Sequence, residues 1–448
     1  MDKQLMKIAD LLEKQALNQP DSLFIQTSTR KYSYLDVYHL VLRYSSYIHR
    51  HYQGKTFGLL MEDPFECIVS FLALIRCGKR VFLFNHKNVN LSRHYAEIYH
   101  CDVLLDSLPK DLDSHDGPSE SSLCNESEIC IFTSGTTADP KCVLHRYSQA
   151  IAHAKVSTKT LDFTSLSSWL LLLPLFHVSG LGILFRVLFS GGTIVLDDIS
   201  TSMNFTHVSL VASQLSRFMS YHPTSSLDCL LLGGAKLQHK DIQEALSAGL
   251  PIYMGYGMTE TFSHVSLTSL QSSSIDCSGQ CLSHSLIKVI DGEIRVKSDS
   301  LFSGYLSPKG DLISPLDDDG FFNTHDLGTL KGSQLFVSGR ADHMFISNGE
   351  NISVESLEQL VLEDKHIQEF VIVPVEDSLR GHVGCAFSVT SYSEEELSFA
   401  VRKKILRFYS SLYLPKYLFI IHQHEYDFAN SRDYFQQISS DYIEKKPQ

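Results

Sequence analysis

Short apolar runs alternate with amphipathic stretches along most of the first part of the chain. That alternation is what a layered α/β fold requires. A strand covered on both faces reads as a continuous apolar run, and the helix over it carries apolar residues at helical spacing. Phe57-Gly58-Leu59-Leu60-Met61 reads as a buried strand, and Pro64 to Cys77 as a helix opened by proline and stopped at Gly78. The pattern predicts further strands at Val81–Phe84, Val103–Leu105, Ile129–Phe132, Trp169–Leu173, Thr193–Leu196, His207–Val211, Cys229–Leu232 and Ile252–Met254. Helices are predicted at Ser148–Ser157, Leu181–Phe189, Gln214–Tyr221 and Gln238–Ala248. After Ser263 the runs shorten and are broken by Gly and Asp, which predicts an antiparallel sheet or small barrel. From His343 the order is helix, strand, strand, helix, strand, about the size of an independent α+β domain, with the boundary expected at Gly339-Arg340-Ala341-Asp342.

Composition narrows the classes of function. The 38 Lys+Arg against 51 Asp+Glu leave a net charge of −13, which lacks the basic face that nucleic acid or anionic lipid requires. A hydrophobic share of 43% with 26 Phe and 20 Tyr argues for packed cores rather than disorder. The longest apolar stretches, such as Trp169 to Phe176, fall far short of the roughly 20 residues that span a bilayer. The start has no apolar signal core, and the ten cysteines are scattered, several within apolar runs, as expected of reduced thiols in a cytoplasmic protein. Homo-oligomerisation is compatible with the sequence.

Three segments carry chemistry. In Ile131-Phe132-Thr133-Ser134-Gly135-Thr136-Thr137-Ala138-Asp139-Pro140-Lys141, a strand runs into a loop of hydroxyl residues and glycine closed by lysine. Backbone N–H groups, hydroxyls and one ammonium suit a polyphosphate, although a Ser/Thr-rich surface turn has the same local look. The spacing is not that of the P-loop NTPases. Gly255-Tyr256-Gly257-Met258-Thr259-Glu260 combines a ring that can stack on a base, glycines that admit close approach, and a carboxylate suited to Mg²⁺. Gly339–Asp342, with Asn348-Gly349 beyond it, lies at the expected boundary.

Thr133–Lys141, Tyr256–Glu260, Asp326 in Thr324-His325-Asp326-Leu327-Gly328, Gly292-Glu293-Ile294 with Gly304-Tyr305, and Gly339–Asp342 resemble the ordered motifs of the adenylate-forming superfamily. The resemblance runs from about Asn18 to the C-terminus. Leu173-Pro174-Leu175-Phe176-His177-Val178-Ser179-Gly180, Val211-Ala212-Ser213-Gln214-Leu215 and Leu231-Leu232-Gly233-Gly234-Ala235 are similar to its o-succinylbenzoate–CoA ligase branch, which serves menaquinone biosynthesis. The resemblance implies an AMP-binding domain of two layered α/β subdomains plus a small β-barrel over residues 1–340. A mobile α+β domain would follow over 341–448.

It also implies an AMP-forming acid–CoA ligase that uses ATP, Mg²⁺ and coenzyme A, with no nucleic-acid partner. Thr133, Ser134, Gly135, Thr136, Thr137 and Lys141 would cradle phosphates, Glu260 would hold Mg²⁺, and Thr259 would meet the α-phosphate. Gly234, Ala235, Tyr256 and Gly257 would line the adenine site, and Asp326 with Arg340 the ribose. His177, Ser179, Arg186, Ser213, Gln214 and Gly255 are the acyl-side candidates; Arg186 lies in an apolar helix pattern and reads equally as an edge arginine. Asp342 would be the hinge, and Gly349 would face the pantetheine arm. The family ends in Asn-Gly-Lys-(Ile/Val)-(Asp/Leu)-Arg; the nearest match is Asn430-Ser431-Arg432-Asp433-Tyr434, which puts Arg432 in the place of the adenylation lysine. Two readings follow: a ligase for o-succinylbenzoate or another aryl or fatty acid, and a non-catalytic adenylate-binding homologue. His264, Cys277, Cys281 and His284 are spaced too irregularly for a structural zinc site.

Overall fold

The computed structural model describes residues 10–109, 127–133, 141–200, 204–221, 227–233, 239–341, 344–347, 350–377, 380–423, 425 and 432–444. The chain builds three sheets. The first has 13 strands. Its parallel centre runs Ile252–Met258, Cys229–Gly233, His207–Val211, Ser168–Leu170, Thr193–Leu196 and Leu23–Thr27. The second has seven, with Glu128–Thr133, Arg80–Leu83, Thr56–Leu59 and Val103–Leu105 parallel and Lys141–Arg146 antiparallel beside them. The third has five, all from Met344 onward, around the long hairpin Ile367–Asp377 and Gly381–Thr390.

The helices follow from local chemistry. Asp63 accepts from the Glu66 N–H, and Pro64 occupies the first turn of the helix Pro64–Arg76, where its missing N–H costs nothing. The helix Val178–Ser190 is almost wholly apolar and buried. It ends at Gly191, whose φ of 81° is the left-handed cap that glycine adopts without strain. One continuous core joins both large sheets through the buried rings of Phe71, Trp169, Phe185 and Phe262.

The strands after Ser263 are antiparallel, as the sequence predicts: Ser263–Ser269, Gln280–Cys281, Gln334–Arg340, Phe322–Lys331, Glu293–Ser298 and Ser285–Ile290 continue the first sheet around a core of their own that holds Val265, Ile294, Val296 and Leu335. Gly304–Leu306 and Leu312–Ile313 cross to the second sheet. The polar stretch Asp106–Glu128, whose Pro, Asp and Ser content reads as a surface linker, lies mostly outside the described residues. The nine described cysteines are free thiols, and burial pushes those of Cys67 and Cys101 up to about 12. No helix among the described residues is long and apolar enough to cross a membrane.

Arg432 opens the last helix, Arg432–Glu444. Its fork closes on Glu358, Nη1 to Oε1 at 2.7 Å and Nη2 to Oε2 at 2.9 Å, and it also donates to the Ile372 carbonyl. The Ile372 N–H donates to the same carboxylate at 2.6 Å, so one buried acid joins helix Val354–Leu362, strand Ile367–Asp377 and the last helix. Removing one member strands the other without a counter-charge. Arg432→Met should therefore cost about 3–5 kcal/mol in guanidinium unfolding, and Glu358→Met/Arg432→Met should recover most of that loss.

Candidate active site

The phosphate-loop candidates stand on the hairpin between Glu128–Thr133 and Lys141–Arg146. Thr133 and Lys141 are register partners, so the strands bring the two ends of that loop together. Ser134, Gly135, Thr136 and Thr137 lie outside the described residues, as do Gly234, Ala235, Asp342 and Gly349. So does the side chain of Ser213. Lys141 sits with Nζ 5.2 Å from the ring centroid of Tyr305, and the Tyr305 hydroxyl donates to Glu260 Oε1 at 2.8 Å. An ammonium and a carboxylate thus share one aromatic side chain. That arrangement suits a polyanion with its divalent cation, the lysine meeting phosphate and Glu260 offering a hard oxygen ligand.

Glu260 lies in the short 3₁₀ turn Thr259–Thr261, which is pinned from two sides. The His145 imidazole donates from Nε2 to the Thr259 carbonyl at 2.7 Å, and the Phe302 N–H donates to the Glu260 carbonyl at 2.8 Å. The glycines before this turn are required by close packing. A Cβ on Gly255 would stand 2.3 Å from the Ser266 carbonyl oxygen, and one on Gly257 would stand 2.0 Å from that of Ser263.

Asp326 joins the adenine and ribose candidates. It accepts from the Tyr256 hydroxyl at 2.5 Å and from Arg340 Nη1 at 3.1 Å. Asp326 and Arg340 are cross-strand partners, so the pair is fixed by register. Burial and the Asp326 carboxylate push the Tyr256 phenol well above its usual range, which keeps it a donor. Each carboxylate oxygen can accept two hydrogen bonds, which suits a diol.

On the acyl side, His177 caps the helix Val178–Ser190 and lies against Phe176, ring centroids 4.7 Å apart. Its surroundings lower its pKa by desolvation, which keeps it a neutral base. Behind Phe176 is a cavity of about 220 Å³ lined by Leu59, Met61, Phe84, His86 and Lys87. Ser179 is in the first turn of the same helix, where a Cβ on Gly180 would meet the Pro174 carbonyl oxygen at 2.3 Å. Gln214 accepts from the Val211 N–H at 3.1 Å and so shapes the strand–helix turn.

Arg186, which the sequence leaves open between an acyl-side residue and an edge arginine, is 1% exposed. Nε donates to Ser157 Oγ at 3.1 Å; Nη2 donates to His153 Nε2 at 3.0 Å and Ser263 Oγ at 3.4 Å; and the guanidinium lies 5.2 Å from the Trp169 ring. Among the described residues no carboxylate pairs with it. Burial lowers its pKa to about 10, so it remains a cation at neutral pH. Around it His145, His153, His264 and His284 are held neutral, chiefly by desolvation.

Arg432, which the sequence places at the position of the adenylation lysine, is paired with Glu358 within the third-sheet unit. Among the described residues no His/Cys/Asp/Glu group, His264, Cys277, Cys281 and His284 included, is arranged to hold a metal ion. Tyr305, His145, His153 and Ser263 were missed as site residues. Only Tyr305, in Gly304-Tyr305, had any sequence signal; the others gain their roles from contacts across sheets.

The AMP-binding enzyme family profile matches residues 92–306. The 2-succinylbenzoate–CoA ligase of Escherichia coli K12 is 30% identical over 359 residues, covering 77% of this chain and 79% of that protein. That of Staphylococcus epidermidis RP62A is 29% identical over 418 residues, 85% of this chain and 87% of the relative. Among solved structures, the Bacillus subtilis o-succinylbenzoate coenzyme A synthetase in complex with ATP and magnesium ion matches with a TM-score of 0.80 at 25% identity. The match covers 92% of this chain and 95% of that one.

The buried imidazoles set an acid limit on stability. In the unfolded chain they take up protons near pH 6.5, whereas in the fold His145 and His284 resist until about 4 and His264 until about 3. Between those values the unfolded state binds more protons, so stability is lost as pH falls. Thermal unfolding should show a midpoint nearly constant from pH 8 to 7 and falling steadily from pH 6.5 to 4.

Proposed function

The chain belongs to the 2-succinylbenzoate–CoA ligase family of AMP-forming acid–CoA ligases, and from that premise we propose that its acid substrate is o-succinylbenzoate, activated in the cytoplasm for menaquinone biosynthesis. The reaction has two halves. A substrate carboxylate attacks the α-phosphorus of ATP, giving acyl-adenylate and pyrophosphate. The thiol of coenzyme A then attacks the acyl carbon and AMP departs.

The observation that carries the substrate reading is Arg186. A cation sealed inside an apolar helix without a carboxylate partner is costly, and a second substrate carboxylate would supply the missing charge. A monocarboxylic fatty acid has only the carboxylate that reacts. The reacting carboxylate belongs beside His177, whose neutral imidazole can orient the incoming thiol and accept its proton.

The nucleotide contacts in this reading follow the family resemblance. Lys141 and the loop from Thr133 to Thr137 meet the β- and γ-phosphates, Thr259 meets the α-phosphate, and Gly234, Ala235 and the Tyr256 ring enclose adenine. Asp326, steadied by Arg340, accepts the ribose hydroxyls. Glu260 is the residue that would hold Mg²⁺, which neutralises triphosphate charge when bound. Residues 1–340 form the nucleotide-binding domain in this reading, and residues 341–448 a second unit that turns about Asp342 and offers Gly349 to the pantetheine arm. Support for the division comes from the sheets: the first ends its last strand at Arg340, and the third begins at Met344.

The test is o-succinylbenzoate-dependent release of pyrophosphate from MgATP, followed with CoA by thioester formation. Activity with this acid and none with benzoate or a fatty acid is the expected result; turnover only with a monocarboxylic acid overturns the substrate reading. Arg186→Met should raise KM for o-succinylbenzoate roughly 100-fold and leave KM for ATP within twofold, since a charge-assisted contact is worth about 1.5–3 kcal/mol. Its thermal midpoint should not fall, because a buried cation without a counter-ion has been removed. Asp326→Ala should show the opposite split, raising KM for ATP and sparing that of the acid.

A further inference from the structure

Ser263 and His264 follow a turn that the backbone adopts only under constraint. Phe262 and Ser263 both have positive φ, 54° and 106°, a conformation that costs about 1–3 kcal/mol for residues with a side chain. Burial holds the turn in place, since the Phe262 ring packs 5.0 Å from His145 and 5.4 Å from Phe185. Past this turn, Ser263 Oγ lies between Arg186 Nη2 at 3.4 Å and His264 Nδ1 at 2.9 Å.

The direction of each hydrogen bond is set by what arginine cannot do. A guanidinium only donates, so Ser263 Oγ accepts from Arg186. The hydroxyl oxygen keeps a second lone pair, but among the described residues the acceptor within reach of the Ser263 proton is His264 Nδ1, and assigning the bond that way puts the His264 proton on Nε2. By the same logic His153 Nε2, 3.0 Å from Arg186 Nη2, is the unprotonated nitrogen of that ring. One cation thus holds two neutral histidines in opposite tautomers. The His264 ring edge lies against Gly233, which ends strand Cys229–Gly233, and Gly255, which is inside strand Ile252–Met258. Nε2 is 3.7 Å from where a Cβ on Gly233 would stand, and Cδ2 is 2.8 Å from one on Gly255. Among the described residues, no hydrogen-bond acceptor meets Nε2.

We propose that His264 is a substrate-binding residue whose Nε2–H donates to a carboxylate or ketone oxygen of the acyl substrate, and that Arg186 and Ser263 position it by fixing its tautomer. The inference rests on the o-succinylbenzoate reading. The site would then present one fixed cation and one oriented neutral donor, so an acid lacking the second oxygen function loses both contacts.

The test compares three substitutions at His264 with Ser263→Ala, using o-succinylbenzoate, MgATP and CoA. Gln places an amide N–H near the Nε2 position, Asn reaches only the Nδ1 position, and Leu supplies no donor. Leu and Asn should raise KM for o-succinylbenzoate roughly 10- to 100-fold with KM for ATP unchanged, and Gln should restore it to within about fivefold. Ser263→Ala should raise the same KM several-fold without moving that of ATP. If Leu does not fold, the Asn–Gln difference carries the test. Wild-type KM in Leu or Asn, or Gln no better than Asn, overturns the proposal while leaving the substrate reading intact. Absence of o-succinylbenzoate-dependent pyrophosphate release in the wild type overturns both.

Discussion

A positive charge buried without a negative partner imposes a condition that the surrounding residues must meet. Among the described residues Arg186 meets it with neutral groups only: two serine hydroxyls, one imidazole and the face of Trp169. Each partner must offer a lone pair or a π-cloud, and each nearby histidine must stay uncharged. That requirement reaches from helix Val178–Ser190 across helix Tyr147–Thr160 to the first antiparallel strand of the large sheet. The strained turn at Phe262 belongs to the same solution, because it delivers Ser263 to the cation. Stability is traded here for a charge held ready.

The nucleotide side works by a different device. The Tyr305 side chain braces Lys141 and Glu260, and Asp326, held opposite Arg340 by strand register, is bonded to both Arg340 and Tyr256. In the proposed site a phosphate chain or a diol would meet side chains whose positions have been fixed in advance, and less ordering entropy would be lost on binding. The two parts meet at Gly255-Tyr256-Gly257, where the absence of side chains lets strand Ser263–Ser269 come close enough for His264 to face one way and Tyr256 the other.

Much of this was legible in the sequence. His207–Val211 and Thr193–Leu196 begin and end where the apolar runs do, because strands buried on both faces leave little choice. The glycine- and hydroxyl-rich motifs were readable because their composition is itself the function. Ser263–Ser269 was not, since its inward serines satisfy their hydroxyls with neighbouring backbone, as Ser266 does with the Ser278 carbonyl, and so mask the alternation. Glu358, 74 residues earlier, is an ion-pair partner of Arg432 that the motif comparison could not reveal. Arg186 looked like a possible edge residue for the same reason: no local pattern announces His153 or Ser263.

The free cysteines acquire a meaning once the chemistry is placed around them. An acyl-adenylate is an acylating agent, and the second half-reaction needs one thiol, that of coenzyme A, to win against every other. With pKa values pushed up to about 12, the buried Cys67 and the half-buried Cys101 are ionised to only about one part in 10⁵ at neutral pH. Cys229, close enough to Arg186 to feel its charge, is still pushed above the usual thiol range by burial. Burial disfavours the thiolates of Cys67, Cys101 and Cys229, which makes these three poor competitors with coenzyme A for an acyl-adenylate.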